Sequence, residues 1–519
     1  MSGPYPATVL LYENGRETAR WQNPHPFGQG SRLGRDVRIG SSRRPTAVQD
    51  GQVLQRENAG FARALIDDAE ADMVTVLDAS GHIVTESATF RRADGRRSAE
   101  VQLPVGGPYL LRAAAGRTGP KVLARNVLVG DLWVLAGQSN MEGAALIHEP
   151  EPPSALVGAF GMDHQWRTAR EPLHWPLDAK DSVHHGGLVG AQLAREQRAA
   201  REHRATGSGL GLPFARHLVS STGVPVGLIP TAHGASSIDD WSPDKKAYAG
   251  RSLYGALLNS VAGAGGRVAG VLWYQGERDA REDLAPRAAE QYAARWTALI
   301  AALRRDLRDD GLPIFIVQLG RFVSPCADDG RGRNRVRHAQ SLWRESGASG
   351  MASAIDLELD DLIHVDEASL KRLGRRLARL TLGGATPELI EVQASADGRT
   401  IRVLFSGVTG GLRSAGRVAG FTIHDRNGDR HDTIFKVTLD PAHPSTVQLR
   451  LVRPVEDGYH LWYGHGADPY CTLVDDSDAA VPAFGPVCIG ACASDVPVHG
   501  QVGIPNATRP LRKDAEDDE

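Results

Sequence analysis

The middle of the chain alternates continuous apolar runs with stretches of helical periodicity, and this alternation constrains the fold more than any other feature. Apolar residues recur from Tyr292 to Leu307 at the spacing of one buried helix face. Continuous apolar strands separated by such helices are typical of a parallel sheet covered on both faces. We therefore predict a doubly wound α/β domain over residues 126–384. Its candidate strands are residues 127–136, 224–230, 268–274, 313–319 and 350–357.

The two ends of the chain have shorter, β-like apolar runs separated by turn signals such as Gly106-Gly107-Pro108. These patterns predict β-rich domains on both sides of the central one. Within the central domain, the polar stretch around His184-His185 and the Arg/Ala/Glu-rich run after it indicate an inserted loop and helix. The predicted division is a β-sandwich-like domain at 1–125, the central domain at 126–384 with an insertion at about 178–208, a β-rich domain at 385–505, and a charged, disordered tail at 506–519.

Composition excludes several classes of protein. With 519 residues, 41% of them hydrophobic, and a net charge of −3, the chain has enough apolar residues for several cores and no global charge that would attract nucleic acid or anionic membranes. No run approaches the ~18 apolar residues of a membrane helix, and the start lacks a signal-peptide pattern. We expect a cytoplasmic protein, or a secreted or periplasmic one if a leader was removed. The four cysteines are expected to be free thiols, because Cys488 and Cys492 lack a second metal-ligand pair. The sequence does not predict an oligomeric state.

The first chemical motif is Gly137-Gln138-Ser139-Asn140-Met141, directly after the apolar run that ends at Ala136. Ligands of doubly wound sheets bind outside the carboxyl ends of the strands, which is where this serine is predicted to lie. A helix N-cap is an equally good interpretation of an isolated serine at this position.

The second motif is Asp361-Leu362-Ile363-His364, close after the last predicted strand. A serine hydroxyl needs a base to take its proton, and the base needs an orienting carboxylate. Asp361 can reach one ring nitrogen of His364 and leave the other for a serine. A solvated Asp and a loop His remain the alternative. Asp366 is predicted to cap the following helix, with Leu370, Leu373, Leu377 and Leu380 on its apolar face.

Two further motifs follow predicted strands, namely Trp273-Tyr274-Gln275-Gly276-Glu277 and His233-Gly234-Ala235-Ser236. Acyl transfer needs donors aimed at a developing oxyanion, which Gln275 and the Gly234 N–H could supply. Each motif alone is weak, since glycine after a strand is usually a turn. Four such motifs, each just after a predicted strand, are together much stronger evidence of a functional site.

The order of these four motifs resembles the serine esterases of the SGNH-hydrolase superfamily. It is most similar to the sialate O-acetylesterase family and to the family-six acetylxylan esterases. Glu171-Pro172-Leu173-His174 and Gly211-Leu212-Pro213-Phe214-Ala215 add to the resemblance, which covers the central domain. Residues 106–141 and 457–486 resemble the flanking β-segments of the sialate O-acetylesterases. The resemblance implies an SGNH-type, flavodoxin-like α/β/α sheet and a carbohydrate O-acetylesterase that needs no cofactor and no metal.

By the same resemblance, Ser139 is the nucleophile, His364 the general base and Asp361 its partner. The oxyanion hole is then formed by the Ser139 and Gly234 N–H groups and the Gln275 amide. The chain departs from the family at Ala235, where a second glycine is usual, and at Arg278-Asp279, where Ser-Asn or Ser-Asp is usual. Candidate substrate-binding residues are Gln138, Asn140, His174, His233, Glu277, Trp241 and Arg321, with Trp175, His184 and His185 as further pocket candidates.

Two other functions remain open at this point. One is an acetylxylan esterase or a general short-chain acyl esterase without preference for a carbohydrate. The other is an inactive carbohydrate-binding protein, against which the joint presence of the serine, histidine, aspartate and glutamine argues. The acetylated sugar itself cannot be identified from the sequence.

Overall fold

The structure is a computed structural model that describes residues 8–13, 16–22, 48–67, 71–91, 97–115, 118–281, 287–323 and 330–489. The predicted charged tail lies outside the described residues.

The first part of the chain is β-rich, as predicted. Residues 61–67 and 97–104 form two neighbouring strands in which every second side chain points inward. These small and branched side chains form a core with Val74, Val76 and Leu111. The strands are β1 (Thr8–Glu13), β2 (Arg16–Gln22), β3 (Val53–Gln55), β4 (Phe61–Asp67), β5 (Met73–Leu77), β6 (Ile83–Ala88), β7 (Phe90–Arg91), β8 (Arg97–Pro104), β9 (Gly106–Ala115) and β10 (Thr118–Gly137).

The central part contains the alternating strands and helices that the apolar pattern predicts. Its strands are β11 (Ala145–Leu146), β12 (Val157–Phe160), β13 (Trp166–Thr168), β14 (Thr206–Ser208), β15 (Val226–Pro230), β16 (Gly270–Tyr274), β17 (Ile314–Gln318) and β18 (Gly350–Ser353). Its α-helices are α1 (Ser139–Glu142), α2 (Gly190–His203), α3 (Gly211–Thr222), α4 (Leu253–Ala264), α5 (Ala288–Leu307), α6 (Arg331–Ser341), α7 (Trp343–Ser346) and α8 (Glu367–Thr381), and 3₁₀ helices span Pro176–Asp178, Ser182–His185, Ile238–Trp241 and Pro243–Arg251.

Strand β10 belongs to both the first and the central part of the chain. Its first half pairs antiparallel with β9, whereas its last residues pair in parallel with β15 on one side and β16 on the other. The boundary predicted at residues 125–126 falls inside this continuous strand. A single strand thus couples the N-terminal β region to the strand end that carries Ser139.

The central sheet has the strand order β13-β12-β15-β10-β16-β17-β18. All neighbours in it are parallel except the edge strand β13, so the sheet is mixed. The chain leaves β10 for one side of the sheet, returns as β15, and crosses to the other side as β16. The direction of winding therefore reverses around β10, and such a switch point leaves a crevice at the carboxyl ends of the strands.

Two helices confirm specific sequence predictions. In α5 the side chains of Tyr292, Trp296, Leu299, Ile300 and Leu303 are buried, as the predicted stripe requires. Helix α8 is capped by the side chain of Asp366, which accepts a hydrogen bond from the Ser369 N–H, and it buries its four predicted leucines. The predicted insertion contains α2, which buries none of its residues.

The last part of the chain forms two four-stranded antiparallel sheets around a separate apolar core. It is anchored to the central part by buried arginines. Arg337 donates to the carbonyl oxygens of Gly320 on one side and of Gly464 and Gly466 on the other. The strands are β19 (Glu388–Ala394), β20 (Thr400–Ser406), β21 (Leu412–Arg413), β22 (Phe421–His424), β23 (Arg430–His431), β24 (Ile434–Leu439), β25 (Thr446–Leu451), β26 (Tyr459–Tyr463), β27 (Val474–Asp475) and β28 (Phe484–Ile489).

One expectation about the cysteines is wrong. Cys471 is a buried free thiol, but Cys488 is disulfide-bonded. Cys326 and Cys492 lie outside the described residues. Separately, none of the helices in the described ranges is both long and apolar enough to cross a membrane.

Strand β10 passes close to the backbone of Pro225, the residue before β15, and this close approach gives a test of the architecture. A Cβ atom on Gly130 would lie 1.8 Å from the carbonyl oxygen of Pro225, so Gly130→Ala should destabilise the protein by about 1–3 kcal/mol or more, seen as a lower Tm. Gly119→Ala in the same strand is the matched control, because its Cβ would meet nothing within 4 Å. Equal melting of the two variants would contradict the described path of β10.

Candidate active site

Ser139 lies at the carboxyl end of β10, at the switch point of the sheet. The strand ends at Gly137, whose φ of +137° favours glycine and whose Cβ would lie 2.0 Å from the carbonyl oxygen of Tyr274. The next N–H, of Gln138, donates to that same oxygen at 2.9 Å. This tight turn directs the chain into α1, of which Ser139 is the first residue. The serine is half-buried and does not cap the helix; the N-cap position belongs to Gln138.

Ser139, His364 and Asp361 form a continuous hydrogen-bonded triad. The Ser139 Oγ lies 2.9 Å from His364 Nε2, and His364 Nδ1 lies 2.7 Å from Asp361 Oδ2. The other carboxylate oxygen of Asp361 accepts the backbone N–H groups of Ile363 and His364 at 2.8 and 2.7 Å. The carboxylate is thus held by its own loop in the position that orients the imidazole. The structure therefore brings the side chains of Ser139, His364 and Asp361 together.

The charges around His364 favour the protonated form of its imidazole. Burial lowers the pKa of His364, but the hydrogen bond to Asp361 and the charges of Asp361, Glu277 and Glu142 raise it more, so the net pKa lies above the ordinary value. For Asp361, burial raises the pKa, but the hydrogen bond and charge of His364 and the bonds from the loop N–H groups lower it by more, so the net pKa lies below the ordinary value. The carboxylate is therefore ionised when the imidazole takes up a proton.

The side chain of Asn140 connects the nucleophile to two other loops. Its Nδ2 donates to Glu277 Oε1 at 2.6 Å and to the carbonyl oxygen of Ile363 at 3.3 Å, and its Oδ1 accepts the Val365 N–H at 2.9 Å. Asn140 and Glu277 are both buried, at 2% exposure. Both were candidate substrate-binding residues, and the structure places them in the support of the triad instead.

Gln138 has a similar supporting position. Its buried side chain accepts, through Oε1, the Gln275 amide and the backbone N–H groups of Gly276 and Arg278, each at 3.3 Å. It therefore binds the turn after β16 to the turn after β10 and, as a buried group with three donors around it, does not face a substrate.

The Gly234 loop lies beside Ser139. The backbone N–H of His233 donates to the Gly137 carbonyl at 2.9 Å, which brings this loop against the serine turn. A Cβ on Gly234 would lie 3.9 Å from Ser139 Cβ. In this structure the Gly234 N–H donates to Glu142 Oε2 at 2.7 Å. Ala235, where the family has glycine, has φ +56°, a conformation that costs a residue with a side chain roughly 1–2 kcal/mol.

The structure does not bring the Gln275 amide to Ser139. The side chain is fully buried, and its Nε2 donates to the Ser236 carbonyl at 3.0 Å and to Asp279 Oδ2 at 2.6 Å. Gln138 Oε1 is a third acceptor at 3.3 Å, so the two hydrogens of this amide nitrogen are both engaged by buried acceptors. The expectation that Gln275 donates to the oxyanion is therefore not met in this geometry. Gln275 holds together the turns around the nucleophile.

Asp279 is a supporting residue whose importance was missed in the sequence. Its Oδ2 accepts the Ile238 N–H at 2.9 Å in addition to the Gln275 amide. Burial raises its pKa to about 6, although both hydrogen bonds act to lower it. The available signal was its spacing, since an acid four residues after Gln275 can meet it across one turn.

The remaining substrate-binding candidates occupy different environments. Trp241 is fully buried, with its Nε1 donating to Ser236 Oγ, and Arg321 is paired with Glu358 and Asp468. His233 is half-buried, and its Nδ1 lies 3.4 Å from Nδ1 of His184. Burial lowers the pKa of the wholly buried His174 to about 3, so this imidazole is neutral. Of the seven candidates, His233 lies closest in sequence to the Gly234 donor and remains partly open.

Glu142 was also missed. It lies three residues after Ser139, one helical turn away and on the same face, which is the signal that could have identified it. Its carboxylate is the acceptor for Gly234, and it carries no ion pair with any residue in the described ranges.

The residues of this site fall within one family match. Residues 129–383 match the carbohydrate esterases described as sialic acid-specific acetylesterases. These residues are a domain of that family. The chain is therefore a carboxylic ester hydrolase of the carbohydrate esterase type, as the motif order predicted, and membership supports the O-deacetylation of carbohydrates.

Individual relatives agree with this family. The chain is 28% identical over 273 residues to a probable carbohydrate esterase of Arabidopsis thaliana, which covers 48% of this chain and 90% of that protein. It is 23% identical over 317 residues to sialate O-acetylesterase of Homo sapiens, which covers 54% of this chain but only 58% of the human protein. The crystal structure of a carbohydrate acetylesterase from Xanthomonas citri, 25% identical, covers 85% of this chain and 98% of its own, with a TM-score of 0.59. The likeness to the Xanthomonas structure extends beyond the family domain.

The supporting position of Gln275 predicts a combined loss of activity and stability. Gln275→Ala removes the side-chain donor to the Ser236 carbonyl and leaves Asp279 Oδ2 with the Ile238 N–H alone, so the free energy of unfolding should fall by about 1–3 kcal/mol together with kcat. Gln275→Glu should be at least as damaging, because it sets a second carboxylate against Asp279. Gln192→Ala, at an exposed position of α2, is the control. A Gln275→Ala enzyme with the parent Tm, a reduced kcat and an unchanged KM would instead indicate a direct oxyanion role.

Proposed function

We propose that the enzyme is a serine esterase that removes O-acetyl groups from a carbohydrate through an acetyl-enzyme intermediate. The observation that carries this proposal is the continuous contact from Ser139 Oγ through His364 to Asp361, at 2.9 and 2.7 Å. These are the distances at which an imidazole can take the proton of an attacking hydroxyl.

The reaction follows from this geometry. His364 Nε2 takes the Ser139 proton as Oγ attacks the acetyl carbonyl carbon, and Asp361 stabilises the imidazolium that forms. The imidazolium then gives this proton to the departing sugar oxygen, which leaves Ser139 acetylated. Water, deprotonated by the same imidazole, then attacks the acetyl carbon, and the imidazolium returns the proton to Ser139 Oγ as the bond from Oγ to the acetyl carbon breaks. The acetic acid released loses its proton to solvent as acetate. Every step uses side chains of this chain, and no cofactor enters the cycle.

The oxyanion is proposed to bind two backbone donors. One is the Ser139 N–H, which has no acceptor within the helix because it is the first residue of α1. The other is the Gly234 N–H, beside the serine. Gln275 is assigned a positioning role, since its amide holds the turn that presents Ser139.

The proposed site also supports the finer architecture expected from the sequence. Motifs that follow β10, β15 and β16 meet at one edge because the winding reverses at β10. We propose that the central region is a doubly wound three-layer α/β/α domain of the SGNH type, flanked by the two β-rich regions.

The substrate class is proposed from the family and from the names of the relatives, which are a carbohydrate esterase, a sialate O-acetylesterase and a carbohydrate acetylesterase. Acetate release from a panel of acetylated sialic acids, acetylated xylan and other acetylated glycans tests it. A preference for xylan would favour the acetylxylan alternative, and activity on p-nitrophenyl acetate without any glycan activity would favour a general esterase. No turnover at all would favour a binding protein.

Replacing the nucleophile should abolish turnover without affecting the fold. Ser139→Ala removes the bond-forming oxygen, so kcat should fall by on the order of 10⁴–10⁶, while the Tm stays near that of the parent. Ser220→Ala, on the exposed side of α3, should keep full activity. Acetate release by Ser139→Ala within about tenfold of the parent would place the nucleophile elsewhere.

The pH dependence should show the raised pKa of His364. Only the neutral imidazole accepts the serine proton, so kcat/KM should rise with pH to a plateau, with its midpoint above the ordinary histidine value of about 6.5. Asp361→Asn removes the charge and the acceptor that raise this pKa, so the midpoint should move to lower pH while the rate falls by on the order of 10⁴. An unchanged midpoint in Asp361→Asn would contradict the assigned pair.

A further inference from the structure

The carboxylate of Glu142 occupies a donor that the proposed reaction needs. Its Oε2 accepts the Gly234 N–H at 2.7 Å, and a Cβ on Gly234 would lie 3.2 Å from the same oxygen. The corresponding distance to Ser139 Cβ is 3.9 Å. Gly234 therefore has the Glu142 carboxylate and the Ser139 side chain as close neighbours.

This arrangement opposes catalysis unless the carboxylate moves. One N–H cannot donate in line to both the Glu142 carboxylate and an oxyanion, and a negative charge next to the developing oxyanion disfavours the transition state. In the described residues no cation pairs with Glu142. The nearby Arg204 donates to the carbonyl oxygens of His174 and Thr206. Arg204 and His364 interact with the Glu142 charge through space, but among the described residues neither forms an ion pair with it, so neither replaces the hydrogen bond that the carboxylate loses when it leaves Gly234.

A half-buried carboxylate that gives up a hydrogen-bond donor needs another one. The alcohol part of an acetylated sugar brings hydroxyl donors to the position next to the reacting carbonyl. An ester such as p-nitrophenyl acetate brings none. The substrate itself can therefore supply what Glu142 loses, and only if its alcohol carries further hydroxyl groups.

We propose that Glu142 is a specificity-determining residue, whose carboxylate moves from the Gly234 N–H to a hydroxyl group of the alcohol part of the substrate and thereby selects acetyl esters of polyhydroxylated alcohols. This inference rests on the proposed function, because it assumes that Gly234 serves the oxyanion. In the free enzyme the Gly234 N–H is bonded to Glu142 and is not available to the oxyanion. A polyhydroxylated substrate releases this N–H by giving Glu142 a hydroxyl donor in exchange, whereas an ester without hydroxyl groups releases it only with the loss of one hydrogen bond.

The test compares two substrates in one set of variants. For Glu142→Ala, kcat/KM on p-nitrophenyl acetate should rise by about 3–10-fold because the donor is permanently free, whereas kcat/KM on a mono-O-acetyl hexose should fall by about tenfold or more. Glu142→Gln should shift both values in the same two directions by smaller factors, because a neutral amide still accepts a hydroxyl hydrogen. Glu149→Ala, an exposed acid later in the same segment, should leave both values unchanged.

Opposite changes on the two substrates support the inference, and a merely structural role of Glu142 would not produce them. Parallel losses or parallel gains on both substrates, in Glu142→Gln as well as Glu142→Ala, would overturn it. A parent enzyme that hydrolyses p-nitrophenyl acetate but no acetylated sugar would instead overturn the carbohydrate part of the proposed function, so the two failures are distinguishable.

Discussion

The side-chain amide of Asn140 is the interaction on which the geometry of the site depends. It hydrogen-bonds at once to Glu277 after β16, to the carbonyl oxygen of Ile363 and to the N–H of Val365. Since Asn140 directly follows Ser139, and His364 lies between Ile363 and Val365, this one buried amide fixes the separation of Ser139 and His364. A site held this way loses little entropy when the reaction begins, which is the benefit of preorganisation in catalysis.

The support around this amide is acidic and buried, which has a cost in stability. Burial raises the pKa of Glu277, and the bond from Asn140 offsets only part of that effect. One oxygen each of Glu277 and Asp279 is buried without a partner in the described part of the chain. Such groups are expensive to keep inside a protein. The negative charge of Glu277 also helps to hold the pKa of His364 high, so the stability cost of this residue is coupled to the titration of the imidazole.

The sequence predicted which residues meet at the site, but not the buried contacts that hold them in place. The residues that meet at the end of β10 and the five central strands could be predicted because apolar periodicity and motif order are local properties, and Asp366 and the leucines of α8 follow from the same kind of pattern. The contacts of Gln275 could not be found in this way. Its amide was equally suited to an oxyanion or to Asp279, and only the packing of the loops decides between them. The double role of β10, and the approach of Glu142 to Gly234, likewise depend on tertiary distances that no spacing along the chain encodes.

The measurement that tests the central claim most directly is covalent labelling of the nucleophile. The parent enzyme would be inactivated with an alkyl fluorophosphonate, and the modified peptide identified by mass spectrometry. The account predicts a single phosphonylated residue, Ser139, with loss of activity in proportion to labelling and no labelling in His364→Ala, where no base activates the hydroxyl. Complete inactivation with the label on another residue, or full activity with Ser139 modified, would contradict it.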